Sequence, residues 1–298
     1  MTRVDRAVVF FSNLPEFEYY KPKTIEEAVE LLSKHGEDAR VLAGGTDLIQ
    51  DLRMRAKKAK VIIDIKGIPE LHRVEYVEGQ GLVVGATVTL NELIENKTVK
   101  EKYYALWEAL KQMADYHLRN RATLVGNLCN ASPAADSAPP LLVFGAEVEV
   151  TSKEGVRRIP LREFFAGVKR TVLRPGEFVT AVIIPEPPAG ARSRYIKITR
   201  SSEDLAVVGI AGLAANIDVP EKRVVRLAYA SVAPTPLLIE EVEEVFRKDR
   251  PLSELVEDAV KTVMSKVSPI TDVRATREYR LHVIEFGTRY VLKELLRG

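Results

Sequence analysis

The sequence predicts an α+β fold built from two parts. The first part comprises small α/β units up to residue 185, and the second is a domain with a three-stranded antiparallel sheet and helices. A strand, a Gly44–Gly45 turn and a helix follow one another early in the chain. Three strand-like segments come after the proline-rich residues 185–190, and helical spacing of apolar side chains continues from residue 237. These three observations define the fold class.

The early elements follow from capping signals and apolar runs. Thr24 and Glu27 form a capping-box pattern, and Thr89 and Glu92 repeat it. Gly36 is placed to end the first helix. The predicted elements are a helix over 24–36, a strand over 40–43, a helix capped by Thr46 and Asp47 that runs through Leu52, strands over 61–65 and 81–87, and a helix from Thr89.

The middle of the chain contains one long segment without periodicity. A helix is predicted over 99–115, whereas residues 119–140 are rich in Asn, Ser, Pro and small residues. Such a segment inside a compact domain is usually functional. Strands are predicted over 146–151 and 178–184. We divide this region into subdomains of about 1–65 and 66–185.

Three prolines within residues 185–190 predict a domain boundary, with the C-terminal domain over 186–298. Alternation and apolar runs then predict the antiparallel sheet. The last helix carries Tyr279, Val283, Phe286 and Tyr290 at helical spacing, which is typical of core. The predicted strands cover 194–199, 205–215 and 224–232, and the helices cover 237–246, 252–266 and 275–296.

Composition excludes several kinds of protein. The 44 Lys and Arg residues nearly balance 42 Asp and Glu residues, so we expect no nucleic-acid partner. One cysteine and four scattered histidines predict no metal bound by this chain alone. The longest apolar stretch, 205–215, is too short to span a bilayer. Asp5, Glu16 and Glu18 interrupt the first 20 residues, so we expect no signal segment and a cytoplasmic location.

The turn over residues 42–48 is the first candidate site. Two glycines between a strand and a helix allow close approach of a ligand, and amides at a helix start suit a phosphate. A plain turn between strand and helix is an equal alternative for these residues alone. The turn lacks the G-x-G-x-x-G pattern, so a Rossmann nicotinamide site is not supported.

The polar loop 119–140 is the second candidate site. It places a threonine, several asparagines, two serines and Asp136 just before an apolar run. Buried polar side chains need partners, either the backbone of the loop or a polar ligand. A self-satisfied turn network remains the alternative for this segment taken alone.

Together, the two segments resemble the flavin-binding medium subunits of molybdenum hydroxylases, the family of aerobic-type carbon monoxide dehydrogenase, xanthine dehydrogenase and aldehyde oxidoreductase. Members similarly show an A-G-G-T-D-L-type turn and a T-x-G-G-N-x-x-x-A-S-P-x-x-D-x-x-P stretch. Val125 stands where many relatives have the first glycine of G-G-N. Further strings match in the family's order at residues 164–165, 173–177, 195–197, 231–234, 270–274 and 278–280.

The resemblance implies a vanillyl-alcohol oxidase-like domain with non-covalent FAD, its pyrophosphate held between the two segments. Asp136 would accept from a ribose or ribityl hydroxyl, Lys197 would lie near the flavin, and Val179 or Leu205 would touch the ring. The residues carried over as cofactor-binding are Ala43, Gly44, Gly45, Thr46, Asp47, Leu48, Thr123, Gly126, Asn127, Asn130, Ser132, Asp136, Val179, Lys197 and Leu205.

The same resemblance implies an oxidoreductase subunit that transfers electrons. A molybdopterin-binding large subunit and an iron-sulfur small subunit would be its partners, and FAD would pass electrons to an external acceptor. Two alternatives stay open: a stand-alone FAD-dependent oxidase or dehydrogenase, and a non-catalytic nucleotide-binding module. The four scattered histidines give no support to the stand-alone enzyme, which needs a catalytic base.

Overall fold

The computed structural model describes residues 14–297 and confirms the α+β fold. Residues 1–13, with the Asp5 invoked above, and residue 298 lie outside the described part. The strands are β1 Glu18–Tyr20, β2 Ala39–Leu42, β3 Val61–Asp64, β4 Val74–Val77, β5 Gly81–Gly85, β6 Glu147–Ser152, β7 Gly155–Pro160, β8 Phe165–Gly167, β9 Arg170–Thr171, β10 Phe178–Ile184, β11 Arg192–Ile198, β12 Val208–Ala215, β13 Val224–Ala230 and β14 Leu237–Leu238.

The α-helices alternate with these strands in the first half and follow them in the second. They are α1 Ile25–His35, α2 Leu48–Arg53, α3 Leu90–Glu95, α4 Lys97–Lys102, α5 Tyr104–Lys111, α6 Tyr116–Arg119, α7 Leu124–Cys129, α8 Ala138–Val143, α9 Leu161–Phe164, α10 Glu241–Phe246, α11 Leu252–Lys266 and α12 Arg277–Leu296. Among residues 14–297, no helix combines the length and the apolar content needed to cross a bilayer.

A small parallel sheet and a larger antiparallel one form the first half. The small sheet has the order β1-β3-β2, and α1 packs against β2 and β3. Thr24 Oγ1 accepts from Glu27 N at the start of α1, as predicted, but the Glu27 carboxylate accepts from Lys23 N instead of closing the box. The larger sheet has the order β4-β5-β10-β6-β7, with the fully buried β10 at its centre.

The C-terminal sheet has four strands in the order β11-β12-β13-β14, not three as predicted. Leu237 and Leu238, predicted as the start of a helix, instead pair with Tyr229 and Ala228, and the helix begins at Glu241. Backbone pairing to an existing strand edge therefore overrides the helical pattern at these two residues.

The predicted helix over 99–115 is also wrong in its extent, because α4 and α5 are separated at Tyr103. That residue leaves helical geometry with φ −121° and ψ 50°. Its ring is fully buried and packs edge-on against Phe144, while its hydroxyl donates to Ile184 O at 3.2 Å. Residues 119–140 are not wholly irregular either, since α7 and the start of α8 lie within them.

The three aromatic residues of the stripe on α12 are exposed, so their assignment to the core is wrong, whereas Val283 packs against the C-terminal core. Tyr279, Phe286 and Tyr290 are 51%, 67% and 43% exposed. The helix instead packs a different face, with Ile284, Gly287 and Val291, against the sheet. A Cβ on Gly287 would lie 2.6 Å from Ile210 Cδ1, so glycine at this position permits the close packing of α12 on β12. The spacing of the aromatic residues therefore did not identify the buried face, which carries Ile284, Val291 and Leu295.

The two faces of the C-terminal sheet belong to different cores. Ala211 and Leu213 of β12 pack in the large core of the first half. Their neighbour Ile210 packs with α12, and a Cβ on Gly212 would meet Leu295 and Val291 of that helix. The sheet is thus enclosed between α5 and α8 on one side and α12 on the other.

Candidate functional site

The two segments singled out in the sequence lie in direct contact. A Cβ on Gly44 would lie only 2.0 Å from the carbonyl oxygen of Arg121, so glycine is required there by the neighbouring loop. Leu90 N donates to Ala122 O at 2.9 Å on the other side of that loop. The Gly44–Gly45 turn therefore packs directly against the residues that precede α7, and this contact sets the separation of the two segments.

A cavity of about 280 Å³ opens between the turn and α7. Of the fifteen residues proposed from the resemblance, all six of the turn and five others contribute to its wall. The predicted residues that line it are Ala43, Gly44, Gly45, Thr46, Asp47, Leu48, Thr123, Gly126, Asn127, Asn130 and Val179. Ser132, Asp136, Lys197 and Leu205 lie outside this wall.

The turn presents backbone donors to the cavity. Gly45 has a φ of +79°, and its carbonyl accepts from Ile49 N at 3.0 Å to begin α2. Asp47 occupies the N-cap position without a side-chain cap, so the predicted capping of α2 by Thr46 or Asp47 is wrong. Within residues 14–297, the N–H groups of Gly45, Thr46 and Asp47 make no hydrogen bond. These are donors suited to an anionic ligand.

Helix α7 forms the opposite wall. Thr123 caps it by accepting from Gly126 N at 3.0 Å, and a Cβ on Gly126 would lie 2.8 Å from that hydroxyl. Val125 sits inside the helix with no left-handed φ, so the exchange of glycine for valine leaves the backbone unstrained. Asn127 Oδ1 accepts from Ser137 Oγ at 2.6 Å, which leaves the amide N–H groups of Asn127 to the cavity.

Asp47 and Asn130 connect the two walls. Asn130 Nδ2 donates to Asp47 Oδ1 at 2.7 Å across 83 residues of sequence. Lys169 Nζ donates to Asn130 Oδ1 at 2.8 Å and lies 3.9 Å from Asp47 Oδ1. The sequence alone gave no reason to connect Lys169 with the site.

Asp136 and Lys197 form a buried ion pair beyond the cavity. Lys197 Nζ lies 3.1 Å from Asp136 Oδ2 and also donates to Gln112 O, while Tyr195 donates to Asp136 Oδ1 at 2.6 Å. Burial raises the pKa of the Asp136 carboxyl, whereas the ammonium of Lys197 and the hydroxyl of Tyr195 oppose that shift. The next residue, Ser137, donates to the cavity residue Asn127, so the pair adjoins the cavity wall.

Two remaining candidates lie at the surface or in a turn. Leu205 is 47% exposed in the connection between β11 and β12. Ser132 accepts from Ala134 N at 3.2 Å, the local turn bond that was the alternative for this loop. Their roles toward a cofactor stay predictions.

Sequence reasoning missed several wall residues. Leu173 and Glu177 line the cavity and lie in segment 173–177, which matches the family. That match could have identified them as site residues. Burial raises the pKa of the Cys129 thiol to about 12, so this wall residue is a neutral thiol at pH 7. The other missed wall residues are Arg40, Val41, Lys57, Ile65, Ala122, Val125 and Phe178.

The fold and the cavity define a protein with donors suited to an anionic ligand on two facing, glycine-bearing segments. Residues 15–187 match the model for the FAD binding domain in molybdopterin dehydrogenase, and residues 193–295 match the CO dehydrogenase flavoprotein C-terminal domain. The chain belongs to this family of FAD-binding subunits of oxidoreductases.

Relatives and solved structures agree with this assignment. The chain is 32% identical over 279 residues to the putative xanthine dehydrogenase FAD-binding subunit of Escherichia coli, covering 93% of this chain and 94% of that one. It is 33% identical to the carbon monoxide dehydrogenase medium chain of Afipia carboxidovorans, covering 89% and 91%. The structure of carbon monoxide dehydrogenase from Hydrogenophaga pseudoflava superposes with a TM-score of 0.90 at 30% identity, covering 95% and 98%.

Proposed function

We propose that this chain is the FAD-binding electron-transfer subunit of a molybdenum hydroxylase, and that the cavity holds the FAD pyrophosphate. The observation that carries the proposal is the convergence of both predicted segments on one cavity. When bound, FAD supplies the redox chemistry that accepts and releases electrons. The residues of this chain bind and orient it.

The donors in the cavity wall match a pyrophosphate. The N–H groups of Gly45, Thr46 and Asp47 and the hydroxyl of Thr46 would donate from one side. The amides of Asn127 and Asn130 would donate from the other. Fixed neutral donors bind an anion with little reorganisation, because the fold has already oriented them.

The buried ion pair would lie toward the flavin ring, with Val179 in the wall and Leu205 at the surface. Lys197 would place a positive charge in a region of low dielectric, where its effect on a nearby group is largest. Asp136 and Tyr195 fix its position through hydrogen bonds. We infer that the domain boundary near 185–190 separates the pyrophosphate site from the strand that carries Lys197.

Partners would supply the rest of the reaction. Iron-sulfur clusters require several cysteines, and this chain has one, so a separate iron-sulfur subunit must deliver electrons and a molybdopterin subunit must oxidise the substrate. Leu205 and the 90%-exposed Val273 mark a candidate contact surface. Arg200, near Leu205 in sequence, donates to Val273 O at 3.3 Å and so joins the two loops.

The first experiment titrates the apoprotein with FAD and then denatures the complex with acid. We expect binding in a one-to-one ratio and complete release of the yellow chromophore into the supernatant. Flavin retained on the precipitated chain would contradict non-covalent binding. An apoprotein that takes up no FAD would contradict the proposed function and favour the non-catalytic module.

A further inference from the structure

Lys169 lies at the tip of the β8–β9 hairpin and contacts the wall residue Asn130, and no part of the proposed function uses it. Its φ is +57°, a left-handed conformation that costs energy in a residue with a Cβ. Its N–H donates at 2.9 Å to the carbonyl of Ala131, which is also left-handed with a φ of +48°. Two unfavourable backbone conformations thus bring the hairpin tip onto the end of α7.

The side chain of Lys169 sets the orientation of Asn130. Because the ammonium can only donate, its 2.8 Å contact fixes Oδ1 of Asn130 toward Lys169. The amide nitrogen must then point the other way, where one N–H meets Asp47 Oδ1 at 2.7 Å. The second N–H of this wall residue is left to donate. A reversed amide would instead present an oxygen lone pair to an anion.

Lys169 also offsets a charge that the site should not tolerate. Asp47 lines the cavity, and its half-exposed carboxylate would repel a pyrophosphate bound there. The ammonium 3.9 Å away compensates that charge, while Asn130 ties up one of its oxygens. Lys169 acts on both wall residues without belonging to the wall itself.

We propose that Lys169 is a positioning residue for the diphosphate of the cofactor: it orients the Asn130 amide and compensates Asp47. The inference rests on the proposed function. It concerns the diphosphate alone, so ligands without phosphate should be insensitive to Lys169.

The test titrates three ligands, namely FAD, ADP and riboflavin, into the wild-type apoprotein and its variants. Lys169→Met should raise the Kd for FAD and ADP about tenfold and leave that for riboflavin unchanged, because only the first two carry a diphosphate. Lys169→Arg should restore wild-type affinity. Lys97→Met is the matched control. It removes another exposed lysine, which pairs with Glu101, and because neither residue lines the cavity, the Kd of all three ligands should stay unchanged.

Two further variants separate positioning from folding. Lys169→Gly removes the side chain while relieving the left-handed strain, so it should weaken FAD binding without lowering the unfolding temperature. In an Asp47→Asn background, Lys169→Met should have a smaller effect, since the charge to be compensated is gone. Equal FAD affinity in the wild type, Lys169→Met and Lys169→Gly would overturn the inference, as would a parallel loss of riboflavin affinity. Wild-type protein that binds none of the three ligands would overturn the proposed function as well.

Discussion

Thr46 is the side chain for which the site makes the sharpest prediction. Thr46 lines the cavity beside unpaired backbone donors, and we propose that its hydroxyl donates to the pyrophosphate, so Thr46→Ala should remove one donor to a charged group. Such bonds are worth about 1.5–3 kcal/mol, or roughly tenfold to a hundredfold in Kd for FAD. Titration of the apoprotein measures this, and Thr46→Ser, which keeps the hydroxyl, is the control. Wild-type affinity in the alanine variant would remove the assignment of this turn.

Lys197 and Asp136 give a prediction about stability. Both side chains are nearly inaccessible, so Lys197→Met would leave a carboxylate buried without its cation. Breaking one side of such a pair costs about 3–5 kcal/mol in the free energy of unfolding. The double variant Lys197→Met/Asp136→Asn should recover part of that loss. Urea unfolding of the apoprotein measures the free energy of unfolding of the single and the double variant. Equal losses in the two would show that the unpaired Asp136 carboxylate is not the cause of the destabilisation.

The residues of the site were predictable where a local motif or the family resemblance marks them, and hidden where only a tertiary contact connects them to it. The two glycines predict the turn from Ala43 to Leu48, and all six of its residues line the cavity. Tyr195 is 59 residues from the Asp136 that it contacts, and Lys169 is 39 residues from Asn130. Neither contact has a sequence signal, because only the fold brings those side chains together.

At the scale of elements, α12 offers two adjacent positions with opposite expectations. Phe286 is 67% exposed, so Phe286→Ser should leave the free energy of unfolding within about 0.5 kcal/mol of wild type. Gly287 packs against Ile210, so Gly287→Val should cost about 1–3 kcal/mol through overpacking. Denaturant unfolding of the two variants provides the comparison. A larger loss at Phe286 than at Gly287 would contradict the orientation of the helix.

The loop before α12 gives a pH-dependent prediction. Burial opposes ionisation of Asp272, but the N–H of Arg274 and the guanidinium of Arg280 prevail and lower its pKa from 3.8 to about 2. A carboxyl with a lowered pKa in the folded state stabilises the fold above its unfolded pKa and loses that effect as the pH falls through the folded value. Asp272→Asn should therefore lower the unfolding temperature at pH 7, and the difference from wild type should shrink between about pH 4 and pH 2. A difference independent of pH would exclude this carboxylate.

Elements with strong local signals were predicted well, and tertiary contacts decided the others. Helix α11, Leu252–Lys266, matches its predicted extent, and the capping box at Thr89 forms as expected. The strands β1, β4 and β7 were missed because their side chains are mostly exposed or half-buried, so they contain no apolar run. Burial of Tyr103 divides a helix that periodicity predicted as one. Exposed aromatic residues on α12 show that spacing identifies a helical face without revealing where it points.

At the scale of the whole molecule, we predict that the isolated chain loaded with FAD oxidises no carbon monoxide, aldehyde or purine. Its flavin should nevertheless be reduced by a chemical donor. With one cysteine the chain cannot hold an iron-sulfur cluster, but that lack does not affect the flavin itself. Mixing with the large and small subunits should restore substrate-dependent bleaching of the flavin absorbance. Turnover of an organic substrate by the isolated chain at an enzyme-like rate would favour the stand-alone oxidase instead.

The enclosed C-terminal sheet limits the modularity of this protein. The two family segments are separate in sequence, yet Ala211 and Leu213 of the second complete the core of the first. A gene fragment ending near residue 187 would leave apolar faces of α5 and α8 uncovered, and the remaining fragment would expose the opposite face of β12. Each fragment expressed alone should therefore be insoluble. Exchange of one segment between relatives should require that the residues on both faces of the sheet match their new neighbours.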